Sequence, residues 1–452
     1  MPRQMRWAAA PMWLAVLAVA SLRADSSVIK FTDVKLKNGL RVIISEDHTA
    51  PTVSIAVTYN VGSADEKARR TGFAHLFEHM MFKGSDNVGP GEHFFLIYNY
   101  GGNMNGTTNT DRTVYYETLP KNQLELGLFL ESDRMRSLAI TKDNLDNQRQ
   151  AVQEERRLRL DNQPYGKSQE RFNELAYDNV AYKHSVIGSM EDLNAATVDD
   201  VAGFFRTYYA PNNAVLAIVG DVDTKATLAR IEKYFANIPR QQSPAAVDLS
   251  ERDMNGERRE TMQDPLARVA QLNIGYRIPP GTHADWPALS AAGQILGAGE
   301  SSRLYQRVVK DKEICSSIGS GAGARVGPAL FTITCSVRPG KNIAEAEAAI
   351  DEEVERMRST AVTADELLRV RTSSRRNAVG LRESSLGRAQ SLADNAALYN
   401  DPNRINTTPE KVASVAAADV QRVVTTYLKN SNRVVVHTLP GGGPAPASPT
   451  TR

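Results

Sequence analysis

The residues with the clearest chemistry in this sequence are two histidines and a glutamate in one short segment, His75-Leu76-Phe77-Glu78-His79. On an α-helix, His75 and His79 lie one turn apart on the same face, and Glu78 lies beside them. Two imidazoles at this spacing can bind one zinc ion, with the carboxylate next to the water that the ion holds. The order of residues is the reverse of the HExxH zinc-binding motif.

The neighbours of this motif favour a metal site over the alternative of two histidines satisfied on an ordinary amphipathic helix. Phe73, Leu76, Phe77, Met80 and Met81 surround it, which predicts a well-buried helix. Burying two imidazoles and a carboxylate together is costly unless they bind something. We therefore predict a zinc site with His75 and His79 as ligands.

A third protein ligand is needed, because catalytic zinc commonly has three protein ligands and one water. The helical segment 144–162 contains two adjacent candidates, Glu154 and Glu155. Adjacent side chains on a helix point about 100° apart, so only one of them can face the histidines. Spacing alone leaves the choice between them open.

The elements that must position these residues occur twice along the chain. Asp200 and Asp419, and likewise Asn213 and Asn432, are each separated by 219 residues within similar helix-then-strand segments. The repeat predicts two homologous α+β domains, each a mainly antiparallel sheet packed with helices. We place the boundaries at 28–240 for the N-terminal domain, 241–260 for a polar linker and 261–440 for the C-terminal domain.

The N-terminal residues predict an export signal. Arg3 and Arg6 precede an apolar run of about 14 residues, and Ala18-Val19-Ala20 offers a cleavage site. Residues 1–24 are therefore interpreted as a secretory signal peptide, with a bacterial periplasm as the expected location. The run is shorter than the roughly 20 residues of a membrane span, although an uncleaved anchor is the alternative. At the other end, residues 441–452 are predicted to be disordered.

The overall composition excludes several classes of protein. With 54 basic and 52 acidic residues, the net charge of +2 gives no basic excess for nucleic-acid binding. The two cysteines, Cys315 and Cys335, are too few for a multi-thiolate metal site. They lie in two strand-like segments, and a hairpin centred near Arg325 would place them directly opposite each other. The sequence is compatible both with a disulfide between them and with two separate buried thiols.

Four segments together resemble the pitrilysin/insulinase family of inverted-zincin metallopeptidases. They are the HLFEH motif, the segment 101–120, AVQEERR at 151–157 and NQPYG at 162–166. The chain looks most like the branch that includes the mitochondrial processing peptidase β-subunit and bacterial zinc proteases. The resemblance implies that Glu155 is the third ligand of a single zinc ion and that Glu78 is the general base. Family members often have a carboxylate at the position of Gln148, which suggests altered tuning of the ligands.

The resemblance also implies a peptide-binding strand, with Asn105, Gly106 and Thr107 at the matching positions. The residues alone favour a polar loop there. The second domain lacks the zinc motif, and Arg325 is a candidate for the arginine with which relatives hold the substrate carbonyl. No tyrosine follows it in the next strand, so a partner subunit is expected to complete the site.

These observations predict a zinc-dependent metalloendopeptidase that hydrolyses short or unfolded peptides. The family resemblance implies a homodimer or a heterodimer with a related subunit, because longer members enclose a chamber with four such domains. No membrane span is expected after signal removal. Two alternatives remain, a scaffold subunit that has lost catalysis and a protease dedicated to maturing one peptide precursor.

Overall fold

A computed structural model describes residues 28–441 of the chain. Within them, two β-sheets are each packed with helices, which confirms the predicted α+β class. The predicted signal peptide at 1–24 lies outside the described residues, as does the predicted tail from residue 442 onward. No helix among residues 28–441 combines the length and the apolar character needed to cross a bilayer.

The strands are β1 Thr32–Lys35, β2 Arg41–Glu46, β3 Thr52–Tyr59, β4 Asn103–Thr108, β5 Thr113–Pro120, β6 Ala214–Gly220, β7 Arg258–Asp264, β8 Gln271–Ile278, β9 Cys315–Ala322, β10 Ala329–Val337 and β11 Arg433–Pro440. The α-helices of the first half are α1 Phe73–Met80, α2 Glu92–Asn99, α3 Leu124–Arg136, α4 Lys142–Arg156, α5 Gly166–Ala176, α6 Val180–Lys183, α7 Met190–Ala195, α8 Val198–Tyr208 and α9 Thr224–Phe235. Those of the second half are α10 Trp286–Gly297, α11 Ile343–Ser359, α12 Ala364–Glu383, α13 Ser385–Tyr399, α14 Arg404–Ala413 and α15 Ala417–Tyr427.

The first sheet has the strand order β1-β2-β6-β3-β5-β4, which leaves β4 at one edge. Its pairs are antiparallel except for β2 and β6, which run parallel. The central strand β6, AVLAIVG, is buried at every residue. A continuous apolar run of this kind is expected where helices cover both faces of a sheet.

The second sheet repeats this arrangement with the order β7-β11-β8-β10-β9, and β9 forms its edge. The starts of β3 and β8, of α8 and α15, and of β6 and β11 are each 219 residues apart. Corresponding side chains also make corresponding contacts, since Asn213 and Asn432 each donate a 2.9 Å hydrogen bond to the carbonyl of the tyrosine five residues earlier, Tyr208 or Tyr427. The sequence repeat is therefore a repeat of structure, while the exact domain boundaries stay a prediction.

One helix of the second half packs on the sheet of the first half. Helix α13 lies across β3 and β6, where four of its apolar residues join a shared core. Polar contacts fix it there, because Thr58 donates a 2.8 Å hydrogen bond to Asp394 and Arg112 pairs with the same carboxylate at 3.1 Å. The face of the first sheet away from α1 is thus covered by a distant part of the chain.

Cys315 and Cys335 form a disulfide between β9 and β10, with their Cα atoms 6.1 Å apart. The predicted register of this hairpin is wrong, because Cys335 lies opposite Ile318 and Cys315 lies opposite Val337. The two strands shift register between Ser336 and Val337. A β-bulge of this kind changes the pairing by one residue, and the disulfide joins the strands diagonally.

Candidate metal centre

Helix α1 carries the HLFEH motif and begins at a tightly constrained turn. Gly72 precedes it with a φ of 87°, and a Cβ at this position would come within 2.6 Å of the Ile187 carbonyl oxygen. The carboxylate of Glu66 accepts hydrogen bonds from the backbone amides of Gly72 and Ala74, at 2.8 and 2.7 Å. An acidic group at a helix N-terminus satisfies its free amides and complements the helix dipole.

Apolar packing fixes the rotation of α1. The helix buries Leu76, Phe77 and Met80 in the hydrophobic core of the first half. The ring centroids of Phe77 and Tyr209 lie 4.2 Å apart. The two histidines therefore share the opposite side of the helix, where their ring centroids are 4.8 Å apart. This is the arrangement predicted from their spacing.

Helix α4 supplies the carboxylate that meets them. Its buried residues Leu145 and Val152 turn Glu155 toward α1, and Glu155 Oε2 lies 3.5 Å from His75 Nε2 and 3.3 Å from His79 Nε2. Glu154 is exposed and pairs instead with Arg157 at 2.9 Å. Of the two adjacent glutamates, the structure therefore brings Glu155 to the histidines.

The spacing of these three side-chain atoms fits a zinc ion. A tetrahedral ion about 2.1 Å from each ligand separates those ligands by about 3.4 Å. The 3.3 and 3.5 Å distances from Glu155 to the two imidazole nitrogens agree with that spacing. Two neutral nitrogens and one carboxylate oxygen are also ligands that zinc prefers. The residues present thus fit the metal that the motif implies.

Burial favours the neutral form of both imidazoles. Together with smaller contributions from His79 and Arg159, it lowers the pKa of His75 to about 3. Burial also lowers the pKa of His79, although Glu155 and Gln148 act in the opposite direction. A neutral imidazole is the form that binds a metal ion. Arg159 pairs with the other oxygen of Glu155 at 2.7 Å and so helps to orient this carboxylate.

Glu78 lies on the same helix but faces the edge strand β4. Thr108 donates a 2.6 Å hydrogen bond to Glu78 Oε2. Burial raises the pKa of Glu78, the Thr108 hydrogen bond opposes that rise, and the charge of Glu155 adds to it. A buried carboxylate with one oxygen held in place has the properties of a general base.

The three residues predicted to contact a peptide lie on the edge strand β4, and their backbone groups alternate between β5 and the open edge. Asn105 and Thr107 pair with Tyr116 and Val114 of β5. Hydrogen-bonded pairs alternate along an antiparallel ladder, and the Asn109 amide just after β4 bonds to the Arg112 carbonyl just before β5. The backbone groups of Gly106 therefore point away from β5, toward the open edge.

Each of the three also has a distinct contact. A Cβ added to Gly106 would lie only 3.1 Å from Glu78 Cγ, so glycine lets the strand approach the base. The Asn105 side chain accepts a 2.8 Å hydrogen bond from the Gly106 amide. Arg112 donates to the carbonyl and the hydroxyl of Thr107, at 2.9 and 2.8 Å.

Two residues that contact Glu78 and Glu155, namely Thr108 and Arg159, were not predicted from the sequence. A signal for Thr108 was present, because the period of two in a strand places it on the same face as Gly106. Arg159 carried no such signal. It follows the end of α4 in a π-helical segment, Arg157–Asp161, whose geometry the sequence does not indicate.

Arg325 lies in the connection between β9 and β10. Its guanidinium group lies 5.1 Å from the ring of Tyr177 and 4.9 Å from that of Tyr182. The Tyr182 hydroxyl donates a 3.0 Å hydrogen bond to Asp111, which also accepts one from the Val326 amide at 3.1 Å. Arg325 therefore stacks on two tyrosines of the first half, and not on a tyrosine of the strand that follows it.

Comparison with known families gives two matches that together span most of the chain. Residues 41–189 match the family described as "Insulinase (Peptidase family M16)", and residues 195–374 match "Peptidase M16 inactive domain". The first match includes His75, Glu78, His79 and Glu155.

Individual relatives extend over the same region. The "Zinc protease PqqE" of Helicobacter pylori is 29% identical over 430 residues, which is 94% of this chain and 97% of that protein. The "Uncharacterized zinc protease Rv2782c" of Mycobacterium tuberculosis is 26% identical over 390 residues, 86% of this chain and 88% of the other.

Solved structures have the same fold. The crystal structure of a protease from Helicobacter pylori gives a TM-score of 0.87 at 28% identity, covering 91% of this chain and all of the other. The first half of the periplasmic protease PqqL from Escherichia coli gives a TM-score of 0.73 at 21% identity, covering 91% of this chain and 92% of the other. At that lower identity the likeness extends to the fold alone.

Proposed function

The chain belongs to the insulinase family of M16 peptidases, and we propose from this premise that it is a zinc-dependent endopeptidase acting on short or unfolded peptides. The zinc proteases among its relatives support a peptidase role. The observation that carries the finer proposal is the convergence of His75, His79 and Glu155 within 4.8 Å of one another, next to Glu78 and an open strand edge.

In this proposal His75, His79 and Glu155 hold the zinc ion. Zinc bound there supplies Lewis-acid polarisation of water and of a peptide carbonyl. Glu78 takes a proton from the attacking water, and the Thr108 hydroxyl holds Oε2 so that Oε1 is available for the transfer. The same carboxyl group then gives the proton to the leaving amine.

The strand β4 positions the peptide. An extended substrate adds to its open edge by backbone hydrogen bonds, which the Gly106 carbonyl accepts and which the Gly106 amide donates once the Asn105 side chain releases it. Because these bonds involve only backbone atoms, they accept many sequences and require an extended chain. Folded proteins are therefore expected to be poor substrates.

We also propose that the protein is exported and works with a second chain. A signal-like N-terminus and the disulfide between Cys315 and Cys335 both suit an oxidising compartment outside the cytosol. PqqL of Escherichia coli, which shares the fold, is described as periplasmic. The second chain would be another copy or a related subunit that completes the substrate site.

The test is cleavage of a mixed library of quenched fluorescent peptides by the zinc-loaded chain, with Glu78→Gln as the control. We expect the wild type to cleave and Glu78→Gln to lose at least about a thousandfold in rate while its zinc content is unchanged. Equal cleavage by the two fully metallated proteins would refute the role of Glu78. Bound zinc with no cleavage by the wild type would refute a self-sufficient peptidase.

A further inference from the structure

The second repeat contains a counterpart of the metal centre at the level of its elements. Helix α10 packs on the edge strand β9 and on α12, as α1 packs on the edge strand β4 and on α4. The chain order is also the same, since α11 precedes α12 as α3 precedes α4. However, α10 has the sequence WPALSAAGQILG and offers no histidine, cysteine or carboxylate.

A cavity of about 370 Å³ lies between α10 and α12 at this place. Arg369 and Arg376 line it from the same face of α12, two turns apart, with the hydroxyls of Thr372 and Ser373 between them. Gln294 contributes an amide from α10. We call this the arginine cavity.

The positive charge of the arginine cavity is not neutralised by its surroundings. Glu366 is the one carboxylate on its described lining, and Arg303 binds both of its oxygens, at 2.6 and 2.9 Å. Arg303 thus has a carboxylate partner. Within residues 28–441, no carboxylate lies within ion-pair distance of Arg369 or Arg376. Two guanidinium groups thus remain to bind an anion.

The shape and lining of the cavity favour a peptide over a small free anion. Its volume is in the range that accepts whole side chains. Apolar side chains form part of the wall, and Leu368 beside the arginines is 59% exposed. An occupant with carboxylates next to aliphatic groups would use both surfaces, since guanidinium groups bind carboxylates in a planar, bidentate manner.

We propose that the arginine cavity binds acidic side chains of a peptide at a site separate from the metal centre. The proposal rests on the proposed peptidase function, because the bound peptide would be a segment of substrate. It defines a substrate class, namely peptides with a cluster of Glu or Asp residues outside the cleaved bond. The site that binds a cation in the first repeat would correspond to a site that binds anions in the second.

The experiment measures binding without turnover. The full chain carrying Glu78→Gln is titrated against a fluorescein-labelled peptide of alternating Glu and Leu and against its Gln-and-Leu analogue, at fixed ionic strength. Fluorescence anisotropy is recorded for three proteins: Glu78→Gln alone, the same chain with Arg369→Gln and Arg376→Gln, and the same chain with Arg371→Gln and Arg375→Gln. The last pair is the matched control, because these arginines are also on α12 but do not line the cavity.

We expect the Glu peptide to bind at least about tenfold more weakly when Arg369 and Arg376 are replaced, and to be unaffected by the control pair. Equal binding of the Glu and Gln peptides would overturn the proposal, and so would an equal loss in both double variants. If inorganic phosphate at the same anion concentration displaced the peptide, the cavity would be a general anion site and the peptide proposal would be wrong. Because no step requires cleavage, failure here is distinguishable from failure of the peptidase proposal, which the cleavage assay tests.

Discussion

The hydroxyl of Thr108 lies 2.6 Å from Glu78 Oε2 and donates a hydrogen bond to it. This contact joins the edge strand to the helix that carries the proposed base. The strand that would bind a peptide thereby also fixes the orientation of the carboxylate that would act on it. A shift of β4 would move the peptide and the base together.

Replacing Thr108 is expected to impair catalysis without loss of the metal. Thr108→Val keeps the shape but removes the donor, so Glu78 loses its orienting hydrogen bond and kcat should fall about tenfold or more. Thr108→Ser retains the hydroxyl and should recover most of the rate. The measurement is kcat and KM for one peptide at equal zinc content. A fall in kcat shared by both variants would indicate that packing, and not the hydroxyl, is what matters.

The adjacent glutamates of α4 provide a matched pair for testing the third ligand. Glu155→Gln should lower zinc affinity by about a hundredfold or more, because it removes the charged ligand between His75 and His79. Glu154→Gln alters only an exposed pair with Arg157 and should bind zinc like the wild type. Zinc content after dialysis against a graded chelator distinguishes them. Equal retention by both variants would refute the assignment of Glu155.

Glycine at position 106 is expected to be required for activity but not for folding. A methyl group there would lie 3.1 Å from Glu78 Cγ, so Gly106→Ala should displace the base and reduce the rate of cleavage at least about tenfold. A methyl group on Gly319 of the other edge strand would meet no atom within 4 Å, so Gly319→Ala is the control. Both proteins should have wild-type circular dichroism. Full activity of Gly106→Ala would show that the base tolerates the shift.

How far the sequence predicted the site depended on the type of signal. The period of a helix was enough to bring His75 and His79 together, because only neighbouring turns were involved. Spacing could not choose between Glu154 and Glu155, since the choice depends on how Leu145 and Val152 pack in the core. The family resemblance indicated Glu155, and the structure places its carboxylate between the two histidines.

Longer-range features of the fold had no local signal. The apolar stripe of α13 predicts a helix with one buried face, but it does not say that this face covers the first sheet. The predicted register of β9 and β10 was wrong for a related reason. The bulge near Val337 depends on how the strands pack and not on their composition. In both cases the missing information was tertiary.

Stability in acid is expected to depend on Glu347 of α11. Burial alone would raise the pKa of this carboxyl group, but hydrogen bonds from Arg259 and His437 outweigh it and hold the pKa at about 2. A group with a lowered pKa in the folded state stabilises the fold above its unfolded pKa of about 4.5, and this contribution is lost as the pH falls toward 2. Allowing for partial screening by solvent, Glu347→Gln should therefore lower the free energy of unfolding by about 2 kcal/mol at pH 7 and by little near pH 2.

Glu345→Gln, exposed on the same helix, is the control and should have little effect at either pH. Urea titrations at several pH values measure the difference, and a Glu347→Gln effect that stays constant from pH 7 to pH 2 would contradict the assignment.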